Sequence, residues 1–538
     1  MRGSFILDLQ RVVSLLRVSA KYGAGPLVRF LFRLPPRGPG AGERLRLAFE
    51  ELGITYLKLG QFLTMRFDIL PAEVCTELNR LFESVPPMRF EDARAIVEAE
   101  LKAPLLQVFP RFDPVPIAAA SIAQVHIAYT QTNEKVAVKI QRAGSARLLA
   151  ADMRNLRRIV RVIDALGIVG EFSAQEVANQ FATWTERELD FEMEGRTADR
   201  LRHNAASYEI IPRIHWPLTT KRVLTMEFIE GVSLAKIGQM IDSGRPDLLA
   251  QVLPNLDVER AGRNIAFAVL RQLFVFGFFQ GDPHPGNVLV RDDNSVAFVD
   301  FGIFGQLTDD QRENLAGFLE NLALGNIDWS FRYYARQHAP TADTDLHAFE
   351  SQAKRILTLW YQTSISPFAS AKERHMGRFA TWMIDSIRRH RLRTDPDVML
   401  LWRALFVLDA SSERLSEYFD MMGQVRAFFL EFRPGPVGRV ARMLADPVRN
   451  AALLRLAREG PGWAERIWAG LAGPGHSWAV VSDESPGSHR WRSRQARWLA
   501  GGLMAVSLCA LAGSSYPGVP YKVVAAAAVL AAGILACR

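Results

Sequence analysis

GDPHPGN at residues 281–287 and VDFG at residues 299–302 are the stretches that decide how this chain is read. Asp282 and Asn287 stand five residues apart, and Asp300 follows Asp282 by eighteen residues, at the end of the short apolar run VAFV. Two prolines stiffen the loop and lower the entropy cost of holding both side chains still. At this spacing the aspartate orients or accepts the proton of an attacking group, and the asparagine holds a metal ion. A carboxylate between a short strand and a flexible glycine can present itself to Mg2+. Further back, VAVK at 136–139 ends in Lys139, a lysine on a strand inside an apolar region, where a charge is expensive unless paired. Phosphates and a helix glutamate are such partners. Each feature alone also reads as an edge lysine, a turn aspartate or a capping asparagine. The ordered set, each member beside the right element, points to ATP or ADP with Mg2+.

The elements around these motifs define the architecture. VHIAYT at 125–130 and VAVKIQ at 136–141 predict strands joined by a polar turn, and RVLTMEFI at 222–229 predicts a third. Helical periodicity runs from about 145 to 203, and again from 309 to about 430 with breaks near 338–346 and 363–370. A small strand-containing unit followed by a helical one is the layout of a two-lobed, nucleotide-clamping α+β fold like that of protein kinases. Two features depart from a protein kinase. Where a glycine-rich loop would cover the phosphates stands AAASIA, namely Ala118, Ala119, Ala120, Ser121, Ile122 and Ala123. Alanine cannot adopt glycine's left-handed conformations cheaply, so a stiffer cover is expected, with the Ser121 hydroxyl as a donor. After VDFG the chain passes directly to TDDQ, where Thr308 and Gln311 predict a capping box, with no APE motif and no peptide platform.

Size and composition agree with such a domain plus extensions. The 538 residues are 49% hydrophobic and 23% charged. Cys75, Cys509 and Cys537 form neither a ligand cluster nor a disulfide framework. The formal net charge is +8. With no zinc-finger spacing and no ladder of aromatic and basic residues, nucleic acid is not an expected partner. A lipid surface is.

The sequence closely resembles the UbiB family of atypical kinases, associated with ubiquinone biosynthesis. The resemblance is carried by KLGQ at 58–61 followed by TMRFDILP, AAASIAQVH at 118–126, VAVKIQ, ELDFEME at 188–194, TMEFIEG at 225–231, GDPHPGN and VDFG, with the weaker RALFVLDASSERL at 403–415. It implies a protein-kinase-like fold with added helices. It implies Glu194 as helix partner of Lys139, Met226 as gatekeeper, Glu227 to Ile229 as the hinge facing adenine, and Asp282, Asn287 and Asp300 as catalytic aspartate and metal ligands. Lys58, Gly60 and Gln61 resemble a regulatory helix lying where a protein substrate would dock, with Glu188 and Asp190 as the acidic residues that engage Lys58. The implied activity is that of an ATPase or a kinase for a small or lipid-like acceptor supporting ubiquinone biosynthesis. Isoprenoid-quinone precursors and their biosynthetic enzymes are the implied partners. A true protein kinase and a non-catalytic nucleotide-binding scaffold are the alternatives. Departures include Gln280 and Gly281, where relatives often have His and Ala; a glycine there is expected to loosen the approach to Asp282.

At the C-terminal end WLAGGLMAVSLCALA (498–512) and VVAAAAVLAAGILA (523–536) carry no charge, and RWRSRQAR precedes them. They predict a transmembrane helical hairpin with both ends cytoplasmic, and so an inner-membrane protein with its kinase-like domain in the cytoplasm. The expected domains are an N-terminal helix and linker (1–42), a helical extension with the KxGQ motif (43–112), a small lobe with a helical insert (113–230), a large lobe (231–430), a basic linker (431–497) and the hairpin (498–538).

Overall fold

The computed structural model describes residues 2–31, 40–64, 70, 72–82, 86–165, 174–413, 415 and 419–432. The lysine of VAVK lies in a five-stranded antiparallel sheet. Its strands run in the order Arg111–Phe112, Ala123–Tyr129, Lys135–Gln141 and Val223–Glu227, with Ala118–Ala119 also paired to Ala123–Tyr129. Alternation along the strand sorts the side chains to two faces. Val136, Val138 and Ile140 pack with Ala93, Ile96, Val97 and Phe109 beneath the helix Phe90–Leu101. On the other face Ala137 stands opposite Met226, and Lys139 is flanked by Val125 and Leu224.

The sequence shows helical periodicity over about 145–203. There the described residues form the helices Ser145–Ala165, Ala174–Glu188 and Phe191–Asn204. The break between Glu188 and Phe191 is local chemistry. The Asp190 side chain accepts from the N–H groups of Glu192 and Met193 and caps a new helix.

Beyond the sheet, Val288–Val290 and Val296–Phe298 form an antiparallel ladder, and Phe278–Gln280 pairs with Phe304–Gln306. These short strands are buried on a large helical core that includes Ile265, Leu270, Phe318, Trp360 and Phe428. The capping box at Thr308 and Gln311 is present and opens the helix Asp309–Ala323. One small ladder pairs His338–Ala339, at the expected break near 338–346, with Arg393–Thr394, in a stretch read as helix.

The KxGQ segment forms the helix Ile54–Thr64, held by a hydrophobic cluster of Val18, Phe49, Leu52, Tyr56, Leu78 and Leu81. A buried carboxylate ties it further: Asp152 accepts from Thr55 Oγ1 and pairs with Arg11 Nε at 2.6 Å.

The expected fold class needs one correction. Among the described residues no helix is long and apolar enough to cross a membrane. The longest, Arg2–Leu31 and Ser145–Ala165, carry charges along their length. The segments 498–512 and 523–536 lie outside the described residues. The fold is therefore mixed α+β, mostly helical and kinase-like. Neither the transmembrane hairpin nor the inner-membrane placement drawn from it is retained.

Candidate functional site

Two strands bring the decisive motifs together. Gln280 is paired with Phe304, and Gly281 N–H donates to the Ile303 carbonyl at 2.9 Å. Gln280 Nε2 donates to the Asp300 carbonyl at 2.6 Å. Asp282 and Asp300 are thus fixed at neighbouring ends of one small ladder. DPHPGN folds back on itself through His284 N–H to the Asp282 carbonyl and Asn287 N–H to the His284 carbonyl. That turn carries Asn287 Nδ2 to 3.4 Å from Asp300 Oδ2. Gly281 is tightly packed rather than loosening: a Cβ there would lie 2.8 Å from Leu400 Cδ1 and 2.9 Å from Ile303 Cγ2.

Lys139 faces two carboxylates. Its Nζ lies 2.6 Å from Glu194 Oε1 and 3.3 Å from Asp300 Oδ1. One lysine cannot serve both equally. Burial pushes Asp300 up, but the Lys139 charge and the Gly302 N–H outweigh it and bring the carboxyl down to about 2. Burial, aided by the Asp300 charge, pushes Glu194 up to about 7. Glu194 Oε2 is buried without a hydrogen-bond partner. Asp300 therefore keeps its charge, and Glu194 is the strained member. Burial acts against the Lys139 cation, yet the two carboxylates raise its pKa on balance.

These groups line a cavity of about 260 Å³. Its wall includes Ala119 to Ala123, Lys139, Glu194, Asp282, Asn287 and Asp300, with Lys58, Gln61 and Glu188. An adjoining cavity of about 340 Å³ is bordered by Ala118, Met226, Glu227 and Ile229. Lys139, Asn287 and Asp300 border both. The alanine loop is a closed turn, with Ala120 N–H donating to the Ala123 carbonyl at 2.8 Å. Arg142 clamps it from behind, donating from Nε to the Ala120 carbonyl and from Nη2 to the Pro86 carbonyl.

The KxGQ helix supplies another wall. Lys58 Nζ meets Glu188 Oε1 at 2.8 Å, over the Trp184 ring. Burial raises the Glu188 pKa, with Lys58 acting against the shift. Asp190 does not join this pair, because its carboxylate is spent on its helix cap. Gly60 does not line the cavity either. A Cβ there would lie 2.3 Å from Leu81 Cδ1 and 3.0 Å from Phe49 Cδ2, so the glycine lets the helix seat on its neighbours.

Sequence reasoning gave no role to Arg403, the first residue of RALFVLDASSERL. It projects from the helix Pro396–Glu413, is nearly buried, and its Nη2 donates to Asp282 Oδ2 at 3.0 Å. The signal is an arginine between Trp402 and Ala404 in an apolar run, since a buried cation requires an anionic partner. Among the described residues there is no cluster of three or more His, Cys, Asp or Glu able to cage a metal. Asp300 and Asn287 offer two oxygen donors. That set suits a hard divalent cation that takes its remaining ligands from phosphates and water.

Comparisons with known proteins speak to the family and the fold. Residues 80–330 match the family described as the ABC1 atypical kinase-like domain. A protein of Marinobacter nauticus named "Probable protein kinase UbiB" is 31% identical over 413 residues, spanning 74% of this chain and 72% of that protein. One of the same name from Pseudomonas entomophila is 29% identical over 523 residues, spanning 88% and 94%. Among solved structures, the Rv3197–erythromycin complex from Mycobacterium tuberculosis is similar with a TM-score of 0.50 at 20% identity, over 70% of this chain and 91% of that one. That last likeness speaks to the fold alone.

Proposed function

The chain belongs to the ABC1/UbiB family and is by class an atypical kinase or ATPase, and from that premise we propose that it binds Mg2+ with ATP or ADP between the 113–230 and 231–430 lobes. The base would occupy the cavity beside Met226, Glu227 and Ile229, and the phosphates would pass Lys139 beneath the alanine loop. Asp300 and Asn287 would hold the metal, whose chemistry is to neutralise phosphate charge. Asp282 would orient the attacking group. We further read the reaction as hydrolysis, or transfer to a small or lipid-like acceptor, in support of ubiquinone biosynthesis, with quinone precursors and their enzymes as partners. The Lys58–Glu188 pair would act as a regulatory cover over the same cavity.

The observation that carries this reading is the charge balance of the cavity. Lys58, Lys139 and Arg403 each have a carboxylate at 3.0 Å or less, namely Glu188, Glu194 and Asp282. Asp300 is the fourth carboxylate of that wall; Lys139 reaches it only at 3.3 Å, and its side chain, 41% exposed, is the most accessible of the four. An ionised, accessible carboxylate beside a neutral amide oxygen donor is what a divalent cation recognises. Calorimetry on the full chain, with ADP and ATP across a magnesium titration, tests it. Magnesium should strengthen binding to the wild type and not to Asp300→Asn. Equal magnesium dependence in the two proteins would refute the assignment.

Against a protein kinase stands the short path from Phe304–Gln306 to the helix at Asp309, which leaves no peptide platform. The Arg403 contact on Asp282 favours one other reading, a nucleotide-binding scaffold without turnover. Release of free phosphate by the wild type, lost in Asp282→Asn, excludes it.

A further inference from the structure

The loop from Asp282 to Asn287, DPHPGN, contains no lysine or arginine. The cation beside Asp282 comes instead from a helix more than a hundred residues later, as Arg403. Its position along the cavity is informative. Lys139, Asn287 and Asp300 border both cavities, whereas Asp282 and Arg403 border only the one away from Met226 and Ile229. A nucleotide with its base by Met226 and its inner phosphates at Lys139 therefore ends beside Asp282 and Arg403.

The contact that Arg403 makes there is one-armed. Only Nη2 meets Asp282, at Oδ2, while Nη1 reaches Thr64 Oγ1 at 3.5 Å. Asp282 Oδ1 is buried with no hydrogen-bond partner. A carboxylate met through one oxygen is compensated poorly for its removal from water. A planar guanidinium fork matches phosphate oxygens two at a time, which a lysine cannot do.

We propose that Arg403 is the binding residue for the terminal phosphoryl group, exchanging Asp282 for phosphate oxygens when a nucleoside triphosphate enters. It thereby distinguishes ATP from ADP and frees Asp282 to face the attacking group. The proposal rests on the nucleotide reading above. It adds that the two nucleotides are told apart by a residue outside the kinase-like motifs.

The test measures affinity of the full chain for Mg2+–ADP and for the magnesium complex of the β,γ-imido analogue of ATP. Removing Arg403 alone would strand a buried carboxylate and endanger the fold. The informative protein is therefore the double variant Arg403→Met/Asp282→Asn, read against Asp282→Asn alone. The double variant should lose roughly 10- to 100-fold in affinity for the ATP analogue, the worth of a charge-assisted phosphate contact. Its affinity for ADP should stay within about twofold of the Asp282→Asn value. Arg403→Lys should fall between the two, because an ammonium keeps the charge and loses the fork. Equal losses for both nucleotides, or no loss for either, would overturn the assignment of Arg403 while leaving nucleotide binding intact. Failure of the wild type to bind either nucleotide would overturn the nucleotide reading and this proposal with it.

Discussion

Replacing Lys58 by Met tests whether the KxGQ helix is held over the cavity by charge. The Lys58 and Glu188 side chains are 10% and 8% exposed, and Glu188 Oε2 is buried without a partner. Removing one member of a buried pair typically costs about 3–5 kcal/mol, because the other charge is stranded. The described unit, Met1–Phe432, unfolding cooperatively, would carry an unfolding entropy of about 0.9 kcal/mol/K at roughly 2.1 cal/mol/K per residue. The variant should therefore melt about 3–5 °C lower near pH 8. The pH dependence is the sharper reading. Burial and the Asp300 charge already raise the Glu188 pKa, and Lys58 is the first group opposing them. Without Lys58 the folded state binds a proton more readily than the unfolded chain. Stability then falls as pH rises from the unfolded carboxyl value towards the folded one, and the loss is recovered on acidification, by at most about 1.4 kcal/mol per pH unit. Thermal melts of wild type, Lys58→Met and Lys58→Met/Glu188→Gln at pH 5.5 and 8 read all of this. The double variant should recover most of the loss at pH 8. A deficit that is the same at both pH values and is not rescued by Glu188→Gln would show that Lys58 acts through packing, and the electrostatic account would be wrong.

Gly60→Ala brings a methyl group to 2.3 Å from Leu81 Cδ1. Overpacking of about 1–3 kcal/mol should outweigh the roughly 1 kcal/mol gained in helix propensity; melts should show a loss relieved by adding Leu81→Ala, and a stabilised single variant would refute the close-packing role. For Glu194, burial lifts the carboxyl to about 7, so the nucleotide-free protein should lose stability as pH rises from near the ordinary carboxyl value through about 7. Glu194→Gln should flatten that slope, and an unchanged pH profile of melting temperature would contradict it.

Local signals carried most of the candidate site into the sequence. A strand's alternation placed Lys139 on the inner face, and the spacing of Asp282, Asn287 and Asp300 survives because two short strands clamp both ends of the segment. What stayed hidden depends on contacts remote in sequence or on a competing local choice. Arg403 looks like one more residue of an apolar helix, and its meaning appears only when that helix reaches Asp282, 121 residues away in the chain. Asp190 lies two residues from Glu188, yet a helix break gives it two backbone N–H groups to cap and removes it from Lys58. Gly281 illustrates the limit of reading glycine as freedom, since there the missing side chain is room for Leu400 and Ile303. The hairpin expectation rested on uncharged runs at 498–512 and 523–536, outside the described residues, and no described helix spans a membrane.

The same pairings explain why such a cavity would be controlled. A polyphosphate approaching it meets four carboxylates, Glu188, Glu194, Asp282 and Asp300, and three cations already paired with them, Lys139 being shared between Glu194 and Asp300. In this arrangement the wall carries no surplus positive charge to attract an anion. Binding can become favourable by two routes. A divalent cation can arrive on Asp300, which competes only with the longer 3.3 Å contact from Lys139 and leaves the three shorter pairs in place. Alternatively a pair can open and surrender its cation to the phosphates, at the cost of stranding a buried carboxylate. Glu194 bears that cost least, because burial has already lifted it to about 7, so a proton can replace Lys139 near neutral pH. Lys139 is thus the cation most easily shared with inner phosphates. Lys58, lying over the Trp184 ring, would leave Glu188 without its cation if it were released. On the proposed reading, metal on Asp300 would act before any of the three shorter pairs opens, and Lys139–Glu194 would be the pair that opens at least cost.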